Sequence, residues 1–295
     1  MKAGAFVRTR VPIAGPRHRA YALTRAIFDC VDNRPVGMFD SGVGGLSVLD
    51  HFRRLAPHED VIYFADTAMF PYGPRPTAEV RKRSFAIANR LLASDVKMVV
   101  VACNTASAAA VDDLREAFPL PFVGMVPGLK PATQQSRSGR VAILATEGTL
   151  DGELLARVVD EYGKGTHIAT ITGQGLAELV EEGDANSQRA RDMVRGALAE
   201  ELGHGADTVV LGCTHYNFLA RAIAAEFPGV SLVDTSEPVA RRAIQVLNED
   251  GLEADEGRTG SLSIIVSGDR ARFRKVLATL DLDLGRNLQM EAVRS

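Results

Sequence analysis

The chain reads as an α/β protein made of two pseudo-twofold-related α/β domains, with mainly parallel sheets and an active site in the cleft between them. Three observations lead there. From Val36 onward, short Val/Ile-rich runs alternate with helix-spaced apolar patterns, and continuous apolar runs between helices mark parallel strands covered on both faces. Landmarks also recur at nearly one offset: Ser41 and Thr146 are 105 residues apart, Cys103 and Cys213 are 110 apart, and Phe118-Pro119 and Phe227-Pro228 are 109 apart. Finally, no apolar run approaches the roughly 20 residues that a bilayer span needs, so no membrane role is expected.

Taken in order, strands are expected at 36–39, 61–64, 98–102, 122–126, 141–144, 167–171, 208–212, 230–233 and 262–266. The patterns between them are helical, as in Leu46, Leu49, Phe52 with Leu55, and Ala86, Ala88, Leu91 with Leu92. Ile264-Ile265-Val266 followed by Ser267-Gly268-Asp269 predicts a last strand and a capped helix from Phe273 to Leu280. These alternations give a first domain over 36–128 plus 236–295 and a second over 129–235. Residues 1–35 stand apart as a basic, flexible extension. Lys2, Arg8, Arg10, Arg17, Arg19 and Arg25 face no carboxylate before Asp29, and Gly15-Pro16 breaks any amphipathic period. An Arg-rich, acid-poor leader can be a targeting segment; here it reads as a loose extension or a start placed too far upstream.

Bulk properties narrow the function. A net charge of −3, with no basic stripe beyond the leader, gives no case for nucleic acid. Three cysteines without a Cys-x-x-Cys pair or a His/Cys cluster suggest neither a disulfide framework nor a metal site. A reducing compartment, the cytoplasm, is expected.

The chemistry concentrates at strand ends. Asp40-Ser41-Gly42-Val43-Gly44-Gly45 opens a helix straight after a strand. Ser47 replaces the third glycine of a dinucleotide fingerprint, and no Lys-Ser/Thr follows as in a P-loop. The turn therefore suits a carboxylate, with Asp40 as an ionisable neighbour; a plain capped turn is the alternative. Alone, Cys103 and Cys213 would each pass as buried packing residues. As a pair they differ, because both follow a strand and open a helix whose dipole favours a thiolate. In open α/β sheets ligands sit beyond the carboxyl ends of the strands, so facing halves would present two thiols to one ligand. His215 beside Cys213, and Asp40 near Cys103, are suited to tune them. Asn104, Thr105, Thr146, Thr149 and Thr214 supply uncharged donors for a small zwitterion. His18, His51, His58, His167 and His204 read as surface residues, Pro71-Tyr72-Gly73 as a turn, and Glu181-Glu182 as a solvated helix end.

Phe39-Asp40-Ser41-Gly42-Val43-Gly44-Gly45-Leu46, Tyr63-Phe64-Ala65-Asp66-Thr67-Ala68, Pro71-Tyr72-Gly73, Ala102-Cys103-Asn104-Thr105-Ala106-Ser107 and Leu211-Gly212-Cys213-Thr214-His215-Tyr216 closely resemble, in order, the signatures of glutamate racemases in the cofactor-independent amino-acid racemase superfamily. The resemblance covers about residues 36–280. It implies isomerase activity on glutamate, feeding peptidoglycan synthesis, without pyridoxal phosphate, metal or other cofactor, in a protein that commonly forms a homodimer. It also implies that Cys213 removes the α-proton of the L-enantiomer and Cys103 that of the D-enantiomer, with Asp40 and His215 assisting. Ser41, Asn104, Thr105, Thr146, Thr149 and Thr214 would hold the substrate, helped by Asp40, Cys213, His215 and the backbone of Tyr72-Gly73, while Asp66 and Glu181 would line the site. Val126 and Asn217 stand where many relatives carry Glu and Pro. Competing readings are an aspartate racemase or another isomerase or lyase of the superfamily, and an added protein-interaction role for the basic leader.

Overall fold

Among the described residues, ten strands form two sheets in which every neighbouring pair is parallel. A computed structural model describes residues 31–284 and 288–292, so the basic leader lies outside the described residues apart from 31–35. The larger sheet contains β1 (Val36–Asp40), β2 (Val61–Ala65), β3 (Met98–Val101), β4 (Phe122–Gly124), β9 (Leu262–Val266) and β10 (Leu288–Ala292) in the order β10-β9-β2-β1-β3-β4. The smaller contains β5 (Arg140–Ala145), β6 (His167–Thr172), β7 (Thr208–Gly212) and β8 (Ser231–Val233) in the order β6-β5-β7-β8. Numbered within its own half, each set of four runs second, first, third, fourth. The repeated offsets in the sequence are therefore a repeated topology. Matching backbone bonds close both first strands: Asp66 N–H donates to Asp40 O and Gly173 N–H to Ala145 O, each at 2.9 Å.

β1, β3 and β7 are buried along their whole length, as strands covered on both faces must be. Alternate residues face opposite cores. Met98 and Val100 join the large core shared by both sheets, whereas Val99 and Val101 join a second core under α2 (Thr77–Leu92) and α3 (Asn104–Ala117). On the other face, Leu46, Leu49 and Phe52 of α1 (Leu46–Leu55) are buried, and α1 packs against α10 (Ser236–Asp250).

All nine expected strands are present. β10 was not expected, because Leu-Gln-Met-Glu-Ala alternates apolar and polar residues, the pattern of an edge strand and not of a continuous apolar run. The last helix among the described residues, α11, spans Arg270–Leu277 and starts three residues before the expected Phe273. Asp269 sets that start, its carboxylate accepting from the N–H groups of Ala271 and Arg272.

Below the strands, opposite the cleft, Lys97 and Glu59 form an ion pair (2.5 Å) with both side chains essentially inaccessible to solvent. Lys97 also donates to Asp32 O at 2.7 Å, and Glu59 accepts from Ala254 N–H at 2.9 Å. The pair thus ties the segment before β1 to that before β9. Removing one partner strands a buried charge, so Lys97→Met is expected to cost about 3–5 kcal/mol. Lys97→Met with Glu59→Leu should cost much less, and chemical denaturation of the three proteins measures the difference.

Candidate active site

A cysteine follows the third strand of each half. Cys103 follows β3 with φ −139°, ψ 123° and caps α3; Cys213 follows β7 with φ −145°, ψ 133° and caps a 3-10 helix, Thr214–Leu219. Equivalent strands and nearly equal dihedrals aim both thiols out of their sheet edges. They line one cavity, with Ser41, Phe70, Pro71, Tyr72, Gly73, Asn104, Thr105, Thr146, Ala177, Thr214 and His215. Each thiol is more than nine-tenths buried.

The surroundings of the two sulfurs differ. Cys213 Sγ lies 3.8 Å from His215 Nδ1, and His215 Nε2 lies 2.9 Å from Glu181 Oε1. Burial opposes a charge on His215, but its hydrogen bonds to Cys213 and Glu181, with the Cys213 and Asp40 charges, outweigh burial and hold its pKa well above the ordinary range. Phe70 packs its ring 5.4 Å from the imidazole. On the other side, burial first and the Asp40 charge second push the Cys103 thiol well up, against a lowering bond from the Ala106 N–H. One thiol has an imidazole with which to trade a proton; the other is held protonated beside a carboxylate.

Three amides of the glycine-rich turn are taken by the protein's own carboxylates: Gly42 and Gly45 N–H donate to Asp40 Oδ2 at 3.3 and 2.9 Å, and Val43 N–H to Glu181 Oε1 at 2.6 Å. Tyr63, missed in the sequence, fixes the turn from below by donating to Gly42 O at 2.8 Å. Glu181 is buried, not the solvated helix end that its neighbours Glu182 and Gly183 suggested. Gly44 is required by close approach, since a Cβ there would overlap the His215 ring and Thr214 Oγ1.

Among the expected donors, Ser41, Asn104, Thr105, Thr146 and Thr214 reach the cavity wall. Both amide atoms of Asn104 are buried without a partner, the mark of a polar group facing a ligand position. Thr149 stands behind the wall, 3.0 Å from Thr146 Oγ1 and 3.4 Å from Thr105 Oγ1; Thr105 and Thr146 meet at 2.9 Å, joining the two halves. Asp40 and Glu181 form the layer beneath, and Asp66 stands behind Tyr72, accepting from its hydroxyl at 2.6 Å. Asn217 holds the underside, donating to Ser236 Oγ at 2.6 Å, which in turn pairs with Ser47 Oγ at 2.8 Å. Its polarity is plain in the sequence, but its partners are 19 and 170 positions away. Among the described residues no His/Cys/Asp/Glu group is arranged to hold a metal ion.

Two parallel-sheet halves that bring matched thiols to one cavity define an amino-acid racemase fold. The chain belongs to the Asp/Glu/Hydantoin racemase family, which it matches over residues 44–243, and is an isomerase. Within that family it stands with the glutamate racemases. It is 45% identical over 252 residues to the glutamate racemase of Herpetosiphon aurantiacus, covering 85% of this chain and 99% of that protein. The crystal structure of the Thermus thermophilus glutamate racemase in complex with β-chloro-D-alanine superposes with a TM-score of 0.76 at 36% identity, covering 89% of this chain and 98% of that one. The Escherichia coli glutamate racemase, solved with L-glutamate and the activator UDP-MurNAc-Ala, gives 0.77 at 33% identity, with 89% and 100% covered.

The Cys213 and Glu181 bonds hold the His215 titration above its ordinary range. Glu181→Gln removes one raising influence, so the folded pKa should fall. Nitrogen-15 spectra of histidine-labelled protein would show this as a ring-shift change that occurs at lower pH in the variant than in the wild type.

Proposed function

We propose that this protein interconverts L- and D-glutamate by two-base proton transfer between Cys213 and Cys103, supplying D-glutamate for peptidoglycan. The observation that carries the reading is that both cysteines, equivalent in the two halves, line the same cavity. With L-glutamate, the Cys213 thiolate takes the α-proton, leaving the C–H electron pair on the α-carbon. Cys103 then delivers its own proton to the opposite face, giving D-glutamate and a Cys103 thiolate. The D-enantiomer runs the same steps backwards. His215 stabilises the Cys213 thiolate as an imidazolium; for the D-enantiomer, Asp40 first takes the Cys103 proton so that Cys103 starts as the thiolate, while the imidazolium gives its proton to Cys213.

The difficulty is the weakly acidic α-hydrogen. Preorganised donors around the carboxylate lower that barrier, and Asn104, Thr105, Thr146, Thr214 and Ser41 are the groups available. A cavity closed between two halves also excludes water, which strengthens each contact. The wall carries no side chain of fixed charge besides His215, so it suits a zwitterion bound through hydroxyls and amides. The same resemblance supports cytoplasmic location and assembly as a homodimer. No helix among the described residues is long and apolar enough to cross a membrane.

Since the enantiomers have equal free energy, kcat/KM is equal in the two directions, and unequal thiols show in kcat and KM separately. Cys103→Ala and Cys213→Ala should each lower interconversion at least about 10³-fold with unchanged far-ultraviolet circular dichroism. In deuterated water, L-glutamate should give D-glutamate carrying α-deuterium while the remaining L-glutamate stays unlabelled at early times. Rapid label in both pools would mean that a single base serves both faces; exchange of aspartate but not glutamate would reassign the substrate.

A further inference from the structure

Asp66 is fully buried at the end of β2, and its carboxylate is saturated. Oδ2 accepts from Tyr72 Oη at 2.6 Å and Arg83 Nε at 2.7 Å; Oδ1 accepts from Arg83 Nη2 at 2.5 Å and Ser267 Oγ at 2.8 Å. Arg83 comes from α2, the helix that follows the cavity-wall loop 70–73. It is the only cation bonded to Asp66 among the described residues, and its bidentate fork fixes direction as well as charge. Burial, then the Asp66 charge, keep the Tyr72 phenol protonated and therefore a donor.

Tyr72 transmits that placement to the site. Its ring is 1% exposed and lines the cavity. The next residue, Gly73, accepts from Gly148 N–H at 3.0 Å, the backbone contact to the turn that carries Thr146 and Thr149. The fit there is tight, since a Cβ on Gly73 would stand 3.0 Å from Thr146 Cβ. A shift of Tyr72 therefore moves the wall against the threonine hydroxyls that join the halves. Ser267 ties the same carboxylate to the loop after β9, and its Oγ also accepts from Ala68 N–H at 3.0 Å.

Building on the glutamate reading, we propose that Arg83 is a positioning residue that acts through Asp66 and the Tyr72 hydroxyl to set the width of the substrate cavity. It touches no substrate, so its effect falls on binding more than on proton transfer. Loss of the guanidinium leaves a buried carboxylate with no cation, and the phenol loses a fixed acceptor.

A double-mutant cycle tests this in the full-length protein. Arg83→Met and Tyr72→Phe should each raise KM for both enantiomers about tenfold with kcat within about threefold. The double variant should show about the same tenfold rise, because coupled residues are not additive. A rise near a hundredfold in the double variant would overturn the proposal, as would a normal KM in Arg83→Met. Arg83→Lys keeps the charge without the fork and should fall between. If Arg83→Met does not fold, Arg83→Lys and Ser267→Ala carry the same cycle against Tyr72→Phe. A substrate-free readout separates this from the glutamate reading: the rate of Cys103 alkylation by iodoacetamide, followed by peptide mass mapping. It should rise about tenfold in each single variant and no further in the double, whichever amino acid the wild-type protein turns over.

Discussion

Glu181 Oε1 is shared between two donors, the Val43 N–H of the turn after β1 and the His215 ring beside Cys213. One oxygen therefore joins the larger sheet's glycine-rich turn to the smaller sheet's thiol. Both bonds are buried, where a charge-assisted hydrogen bond is strong and an unpaired carboxylate is costly. Neither can be surrendered cheaply. Glu181 fixes where the turn lies, the turn fixes the room left for His215, and His215 lies against Cys213. Asp40 completes the arrangement by occupying two further amides of the turn. Three amides of a motif that could have held a ligand's carboxylate hold the protein's own instead.

The two thiols thus sit in matched backbone positions with unmatched partners. Cys213 has an imidazole supported by a carboxylate; Cys103 has a carboxylate. Backbone geometry follows the repeat and side-chain chemistry departs from it. Such a division is expected when position is set by strand ends and protonation by the few groups within reach.

Much of this was legible in the sequence because its signals are local or periodic. Continuous Val/Ile runs marked the buried strands, and a shared offset marked the duplication. The strand-Cys-helix pattern placed both sulfurs at helix starts. What escaped depends on distant pairing. Glu181 looked like a surface residue beside Glu182 and Gly183 although the resemblance set it in the site lining, and its bond to His215, 34 positions away, comes only with the fold. Arg83 sits on a helix rich in charge, where one more arginine carries no signal. Asp66 is shielded from the cavity by Tyr72, although the resemblance set it among the site residues. β10 was missed for a different reason: an edge strand needs only one apolar face.

The strand order repeated in both halves, with a cysteine after each third strand, has a consequence for how such a site can be tuned. A symmetric pair of identical units meeting at a dyad would be compelled to give both sulfurs the same neighbour, because every substitution would appear twice. Covalent fusion lifts that compulsion. Histidine can stand on one side and aspartate on the other, so one cavity carries different acid–base groups at its two sulfurs.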